Sequence, residues 1–291
     1  MSTLSTVLEA IIYGISLGMI YLLISLGLTL IFGLMDVINF AHGALVTLGA
    51  YLGLTAWNAS GSYWLSLVAV AVLVGLLGAG IERGLVKKLY DVDHIFQLLL
   101  TFGLALIIEG LLIIQYGEGN QQLNPPAFTE GSPVPFGPAL IPRYRLFIIL
   151  FTILVVAVVW LTIQRTRLGL VIKAGIQDRE RTLLLGIRLG RINMLVFAVG
   201  AGLAAIGGFL AGPLLGVAPN LGTNLLITSF AIVIIGGLGN IRGTIVAALL
   251  LGIVYNLSLF FYPPIANAII FIVMGGVLVM KPEGLFGEVT A

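Results

Sequence analysis

The chain has 291 residues, of which 59% are hydrophobic and only 9% are charged. A soluble domain carries about 25% charged residues. The composition therefore excludes an ordinary water-soluble protein, a disordered chain and a nucleic-acid-binding protein, which needs a basic face. The sequence has no cysteine, which excludes disulfides, thiol catalysis and cysteine-ligated zinc.

Nine apolar runs follow one another along the chain. They are apolar on all sides, which predicts transmembrane helices and not the alternating strands of a barrel. The first run has no basic leader and is too long for a signal-peptide core, so we interpret it as a retained helix. Asn39 and His42 interrupt the second run, and the seventh is short. The runs are residues 10–34, 37–57, 63–81, 95–116, 146–163, 194–217, 225–238, 244–262 and 265–280.

The runs predict an all-α integral membrane protein, a polytopic bundle of about 8–9 transmembrane helices. Some of these helices are expected to be broken or re-entrant. We divide the single transmembrane domain into an N-terminal half (10–116), an external proline-rich loop (117–145) and a C-terminal half (146–291).

The distribution of basic residues predicts which segments face the cytoplasm. Residues 164–192 contain seven basic and two acidic side chains, a net charge of +5, and residues 82–94 contain three Lys and Arg side chains. Residues 117–145 carry no net charge and six prolines, so we expect them outside. Two crossings separate the two basic segments, which agrees with both being cytoplasmic.

The same rule places Arg242 and Lys281 inside, so the C-terminus is expected in the cytoplasm. The N-terminus lies outside if residues 37–57 span the membrane fully, and inside if they re-enter.

Motifs for catalysis and cofactor binding are absent or misplaced. The G-x-S-x-G pentad at residues 14–18 and the G-x-G at 200–202 lie inside apolar runs, where neither a nucleophile elbow nor a dinucleotide fold forms. There is no G-x-x-x-x-G-K-[ST] phosphate-binding loop, and the two histidines are not spaced as zinc ligands. We therefore predict no catalytic residues, no metal, no cofactor and no enzymatic activity.

A few polar residues lie at membrane depth, where they are costly unless they face water or the bundle interior. Asp36, Asn39 and His42 are spaced at i, i+3 and i+6, which predicts one face of a helix, and Glu109 lies within an apolar run. These are candidate site residues. The alternative is structural, with Asp36 capping the next helix, Asn39 and His42 bonding a neighbouring backbone, and Glu109 paired with an interior side chain.

Two further patterns concern glycine. Residues 33–43 and 237–243 both contain Gly-Leu, an asparagine and a closing glycine, a short match that is compatible either with an internal repeat or with chance. Glycines also repeat every four positions, which lets helix backbones touch either within one bundle or at a subunit interface. These repeats are Gly14 and Gly18, and Gly208, Gly212 and Gly216.

Residues 168–189 place apolar side chains at helical spacing between charged ones, which predicts a short amphipathic helix. The mixed charges of residues 178–181 favour a protein partner over anionic lipid. The alternative is a solvated cytoplasmic loop.

Three blocks of the sequence resemble the family of branched-chain amino acid ABC permeases, in particular its LivH-type subunit. They are residues 33–51 (GLMDVINFAHGALVTLGAY), 165–187 (RTRLGLVIKAGIQDRERTLLLGI) and 230–243 (FAIVIIGGLGNIRG). The blocks are spread over both halves of the chain. The run DVINFAH favours this subunit over its larger sister permease.

The resemblance implies a multi-pass permease in the plasma (inner) membrane of a prokaryote. It implies as partners a sister permease subunit, two cytoplasmic ATP-binding subunits, an extracytoplasmic substrate-binding protein that touches residues 117–145, and membrane lipid, but no nucleic acid. ATP binding would act on the coupling loop, residues 164–192, and turn the cavity outward. The implied coupling residues are Lys173, Asp178, Arg179, Glu180, Arg181 and Gly186.

A zwitterionic amino acid needs a mostly neutral path, and amides at the start of a broken helix suit its carboxylate. Asn39, His42 and Gly43 are the first candidates for this path, with Asn240 second, and Asp36 and Glu109 complete the set. Leucine-like cargo, other neutral amino acids, amides and urea all remain open. The competing function is a self-sufficient secondary transporter or channel for small polar solutes such as amides or urea.

Overall fold

The computed structural model describes residues 3–90 and 92–287, which form α-helices joined by short turns and one small hairpin. Strands β1 (Val134–Phe136) and β2 (Ala139–Ile141) are antiparallel, with Val134 opposite Ile141. Short 3-10 turns cover Val86–Leu89, Ala127–Thr129 and Pro263–Ile265. The helices are α1 (Thr3–Met35), α2 (Ala41–Ser60), α3 (Tyr63–Gly84), α4 (His94–Tyr116), α5 (Arg143–Arg165), α6 (Arg167–Gln177), α7 (Arg179–Leu184), α8 (Leu189–Leu215), α9 (Leu221–Gly236), α10 (Ile241–Phe261) and α11 (Ala266–Met280).

Each of the nine predicted apolar runs contains a helix. Within the described residues, however, only seven helical segments are both long and apolar enough to cross a membrane, those of α1, α3, α4, α5, α8, α10 and α11. Helix α9 has 16 residues, about 24 Å, and α2 carries polar residues along its length. The polytopic all-α bundle is confirmed, whereas length and composition alone support seven spans within the described residues, which leaves the predicted count of about 8–9 unconfirmed.

Helices α1 and α8 form the centre of the bundle, with α2, α3 and α10 packed around them. Glycines permit the closest approaches. A Cβ on Gly14 would lie 2.6 Å from Ile253 Cα on α10, and one on Gly208 would lie 2.0 Å from the carbonyl oxygen of Val46 on α2. At these positions the glycine repeats serve packing within the chain.

One end of the bundle, which we call the inner end, collects the basic segments. The Arg179 guanidinium lies 4.9 Å from the centre of the Tyr90 ring, which joins the two basic segments predicted to share a side. The N–H of Leu285 donates to the carbonyl of Ile235 at 2.7 Å, so residues 281–287 lie at this end as well.

The opposite, outer end is formed by residues 117–145 and the beginning of α1. Glu9 Oε1 accepts a hydrogen bond from the N–H of Leu140 at 3.2 Å. Tyr63, which follows α2, packs against Phe128 with ring centres 6.1 Å apart. Helix α1 therefore crosses from the outer to the inner end, and residues 36–60 cross back.

Candidate functional site

The first break in the bundle lies between α1 and α2. Asp36 has a left-handed backbone (φ 53°), and α2 begins only at Ala41. The prediction that Asp36, Asn39 and His42 share one helical face is therefore wrong. Asp36 also does not cap α2, whose N-cap residue is Phe40. The short side chain of Asp tolerates this conformation, which ends α1 and turns the chain back into the bundle.

This break carries the start of α2 to the middle of the membrane. His42 Nε2 donates to the carbonyl oxygen of Ile24 at 2.9 Å, and Ile24 lies about 16 Å along α1 from Met35. The N–H of Phe40 donates to Thr101 Oγ1 on α4 at 3.2 Å. The second bond satisfies a backbone N–H that lipid could not satisfy.

Helix α9 also begins inside the bundle, against the first turns of α2. The N–H of Gly222 donates to Thr47 Oγ1 at 2.8 Å, and a Cβ on Gly222 would lie 1.7 Å from the carbonyl oxygen of Gly43. The rings of Phe40 and Phe230 are 5.4 Å apart. The two helices therefore start side by side and run to opposite ends, an arrangement that many transporters place around a substrate site.

Asn39 and His42 are fully buried at this crossing, each 0% exposed. Both amide atoms of Asn39 and Nδ1 of His42 have no hydrogen-bond partner in the described part of the chain. Gly43 forms the contact between the two helices. These three predicted residues therefore lie together, closed to a solute in this conformation.

The other three predicted path residues lie elsewhere. Asp36 is exposed at the inner end, with its Oδ2 3.8 Å from His94 Nε2. Asn240 caps α10 by accepting from the N–H of Gly243 at 3.0 Å, and it donates to the carbonyl of Phe286 at 2.7 Å. Glu109 is half-buried in the outer half of α4 and forms no hydrogen bond or ion pair with any residue in 3–90 or 92–287.

An uncharged polar cavity of about 480 Å³ opens at the start of α9. Its volume lies in the range of small-molecule sites. Walls come from α1, α9, α10, α11 and the turn before α9. Its polar lining consists of Tyr21, Asn220, Asn224, Thr228, Tyr255 and Asn267.

Side-chain amides without a hydrogen-bond partner among the described residues distinguish this cavity from an empty gap in the packing. The side chains of Asn224 and Asn267 are exposed and make no hydrogen bond to another described residue. Tyr21 lies about 21 Å along α1 from Met35, which puts the cavity in the outer half of the membrane. Amides at that depth are costly against lipid, so the cavity faces water or another subunit.

Sequence reasoning missed this cavity. The available signal was three asparagines at the edges of apolar runs, since Asn220 and Asn224 stand one helical turn apart just before the seventh run and Asn267 lies near the start of the last. Their convergence with Tyr21 and Tyr255 depends on the packing of four helices, which spacing along the chain does not reveal.

The predicted amphipathic segment forms two helices, α6 and α7, instead of one, because the chain breaks at Asp178. Asp178 caps α7 by accepting from the N–H of Arg181 at 2.9 Å, and its Oδ2 pairs with Arg181 Nε at 2.7 Å. Leu184 and Leu185 at the tip of α7 are 86% and 77% exposed. An exposed apolar tip at the inner end is typical of a protein contact surface.

The remaining predicted coupling residues lie on α6, on α7 and just after α7. Lys173 Nζ donates to Gln164 Oε1 on α5 at 2.5 Å. Glu180 is exposed, and Gly186 has the left-handed backbone (φ 77°) that ends the segment.

Helices α6 and α7 contact the break before α2. A Cβ on Gly175 would lie 2.7 Å from Leu34 Cδ1, which joins α6 to the end of α1. Arg179 stacks on Tyr90, whose hydroxyl donates to the Glu82 carboxylate. Burial, and then the Glu82 carboxylate, raise the pKa of Tyr90 well above its ordinary value, so this hydroxyl stays a donor at neutral pH.

The described residues contain no group of three or more His, Asp or Glu side chains placed to hold a metal ion. What the structure does contain is a helical membrane bundle with an uncharged cavity in its outer half and an exposed contact segment at its inner end. These features are those expected of the class of membrane transport permeases.

Residues 10–279 match the family described as branched-chain amino acid transport system / permease component, and the chain belongs to this family. The high-affinity branched-chain amino acid transport system permease protein BraD of Pseudomonas aeruginosa is 28% identical over 297 residues, covering 97% of this chain and 96% of BraD. The permease protein LivH of Escherichia coli (strain K12) shows the same identity and coverage. The probable branched-chain amino acid transport permease protein LivH of Methanocaldococcus jannaschii is 26% identical, over 91% of this chain and 88% of that protein. No solved structure matches the chain.

Proposed function

We propose that the chain is a permease subunit of an ATP-binding-cassette importer in a prokaryotic inner membrane, where it forms half of a path for branched-chain and other neutral amino acids. Membership of the permease family and the relatives' high-affinity branched-chain amino acid systems support the cargo class. The partners are a sister permease, two cytoplasmic ATPases and an extracytoplasmic binding protein at the outer end.

The uncharged polar cavity at the start of α9 is the observation that carries this proposal. A neutral amino acid offers a carboxylate, an ammonium group and an apolar side chain. The partial positive charge at the start of α9 suits the carboxylate, while Asn224, Asn267 and Tyr255 supply neutral donors and acceptors. Leu17 and Ile270 supply apolar surface for the side chain. The absence of charge in the lining allows the cargo to leave as well as enter.

The exposed tip of α7 couples the path to the ATPases. ATPase closure moves α6 and α7, which press on the end of α1 through Gly175 and on Tyr90 through Arg179. Both contacts border residues 36–40, so the movement reaches the start of α2 and its crossing with α9. Two arrangements of this crossing, each favoured by a different ATPase state, give alternating access.

Substitution in the cavity tests the path. Asn224→Leu removes a hydrogen-bonding amide, and loss of one such contact to the cargo is expected to lower uptake about tenfold. Uptake of radiolabelled leucine into cells that lack their own importers measures this, with co-purification of the partner subunits as the check on assembly.

Asn58→Leu is the matched control, because Asn58 is exposed at the outer end of α2, away from the cavity. Unchanged uptake by the Asn224 variant, with the whole complex assembled, would remove this cavity from the path.

A further inference from the structure

A second cavity, of about 530 Å³, lies at the inner end between the end of α3 and the start of α8. Four basic side chains line it: Arg83 and Lys87 from the α3 side, and Arg188 and Arg191 from the α8 side. Met194 and Leu195 form its apolar wall. This cavity is separate from the polar cavity at the start of α9 and from the tip of α7.

The charges of this cavity are not balanced by the residues that the structure describes. None of the four cations forms an ion pair with any residue that the structure describes. Glu82, the acidic residue of the lining, attracts Lys87 electrostatically but is only 1% exposed and accepts a hydrogen bond from Tyr90. Four cations around one concave surface repel one another, so the site favours an anion that several of them contact together.

Lipid-facing surface continues directly from these cations. On α8, Leu195 and Val199 follow Arg191 at successive helical turns and are 45% and 47% exposed. On α3, Leu76 precedes Arg83 by two turns and is 66% exposed, and Gly80 between them leaves open space. Basic residues lie at the cytoplasmic boundary, and exposed apolar stripes extend from them into the membrane. This arrangement matches a phospholipid, whose phosphate lies at the boundary while its acyl chains extend into the membrane.

We infer that this cavity is a binding site for an anionic phospholipid of the inner leaflet. Its phosphate is held by Arg83, Lys87, Arg188 and Arg191, and its acyl chains lie along Leu195 and Val199. An acidic surface of an ATPase subunit is less suited to this position, because the apolar stripes continue away from the inner end into the membrane, where a cytoplasmic protein does not reach.

The test measures lipid binding to the full chain purified in neutral detergent, by native mass spectrometry and by titration. The probes are a phosphatidylglycerol, a phosphatidylcholine of the same chain length and inorganic phosphate. The double variant Arg188→Gln/Arg191→Gln should raise the Kd for phosphatidylglycerol about tenfold or more, since each cation near the surface contributes to the attraction. Phosphatidylcholine binding should not change, and inorganic phosphate at the same concentration should not displace the lipid.

The matched control is Arg165→Gln/Arg167→Gln, which removes the same charge from exposed positions at the inner end outside the cavity. It should leave the Kd within about twofold, because neither side chain lines the cavity. Equal weakening in both double variants would overturn the site in favour of general attraction to a basic surface.

Two further results would also overturn it. Inorganic phosphate that competes as well as the lipid would make this a free-anion site, and loss of ATPase co-purification with unchanged lipid binding would make it a protein contact. If the α8 variant does not fold, Arg83→Gln/Lys87→Gln provides the same test from the α3 side.

Discussion

Gly43 and Gly222 decide how closely α2 and α9 approach each other. A Cβ at Gly222 would lie 1.7 Å from the carbonyl oxygen of Gly43 and 2.5 Å from Thr47 Oγ1, far inside van der Waals contact. Any larger residue must push the two helix starts apart. At the same contact, the N–H of Gly222 donates to Thr47 Oγ1. Both the close packing and this buried hydrogen bond therefore depend on the absence of a side chain at Gly222.

Gly222→Ala is therefore expected to destabilise the fold. Overpacking of this kind costs about 1–3 kcal/mol, which corresponds to a fall in Tm of several degrees for a chain of this size. Thermal unfolding of the detergent-solubilised protein measures it. Gly275→Ala on α11 is the control, because a Cβ there meets nothing within 4 Å, and the better helix propensity of Ala should leave Tm equal or higher. Equal Tm values for the two variants would show that the close crossing does not constrain the fold.

For Asn39, the sequence indicated an unusual polar residue but not the local backbone conformation. Its position in an apolar run correctly marked it as an unusual buried polar group, since both amide atoms lack a partner among the described residues. Its supposed helical partnership with Asp36 and His42 was wrong, because spacing of three residues predicts a common face only where the backbone is helical. The left-handed backbone at Asp36 interrupts the helix, so residues 36–42 do not share one helical face. No pattern in the sequence indicates that an Asp will adopt a positive φ.

At the scale of elements, the long helices were predictable, and the interruption of the second run and the shortness of the seventh indicated broken helices, whereas the depth at which α2 and α9 begin was not predictable. Every apolar run contains a helix, because a segment in lipid must satisfy its own backbone hydrogen bonds. Hydropathy does not report depth, so it could not show that α2 and α9 start inside the bundle. The amphipathic pattern of residues 168–189 predicted one helix, whereas Asp178 splits it by capping α7.

A substitution at the tip of α7 tests whether this element is the docking surface. Leu184→Asp places a charge on an 86% exposed apolar side chain, and a charge buried unpaired at an interface costs enough to weaken docking strongly. We expect the ATPase subunits to be lost from affinity-purified complex, by about tenfold or more at matched expression. The measurement is quantitative mass spectrometry of the purified assembly.

Leu140→Asp is the control for this variant. Leu140 is 50% exposed on the hairpin at the outer end, so the same substitution is made on the face opposite the proposed ATPase contact. It should leave their yield unchanged. Full ATPase recovery with Leu184→Asp would show that the tip of α7 is not the docking surface.

The whole molecule has two ends with different surfaces, joined by α1. The inner end holds both basic segments and the exposed tip of α7, and the outer end holds the hairpin and the start of α1. Between them lie the crossing of α2 with α9 and the uncharged cavity. Charge distribution alone predicted this polarity, whereas the cavity required the tertiary fold, since its walls come from helices far apart in sequence.

Reconstitution into sealed proteoliposomes tests the transport account most directly. Leucine uptake would be measured with the chain alone under proton and sodium gradients, and with the sister permease, both ATPases and the binding protein supplied with ATP. We expect no uptake above empty vesicles for the chain alone, and ATP-dependent uptake for the full assembly. Gradient-driven uptake by the chain alone would contradict the account and establish a self-sufficient transporter.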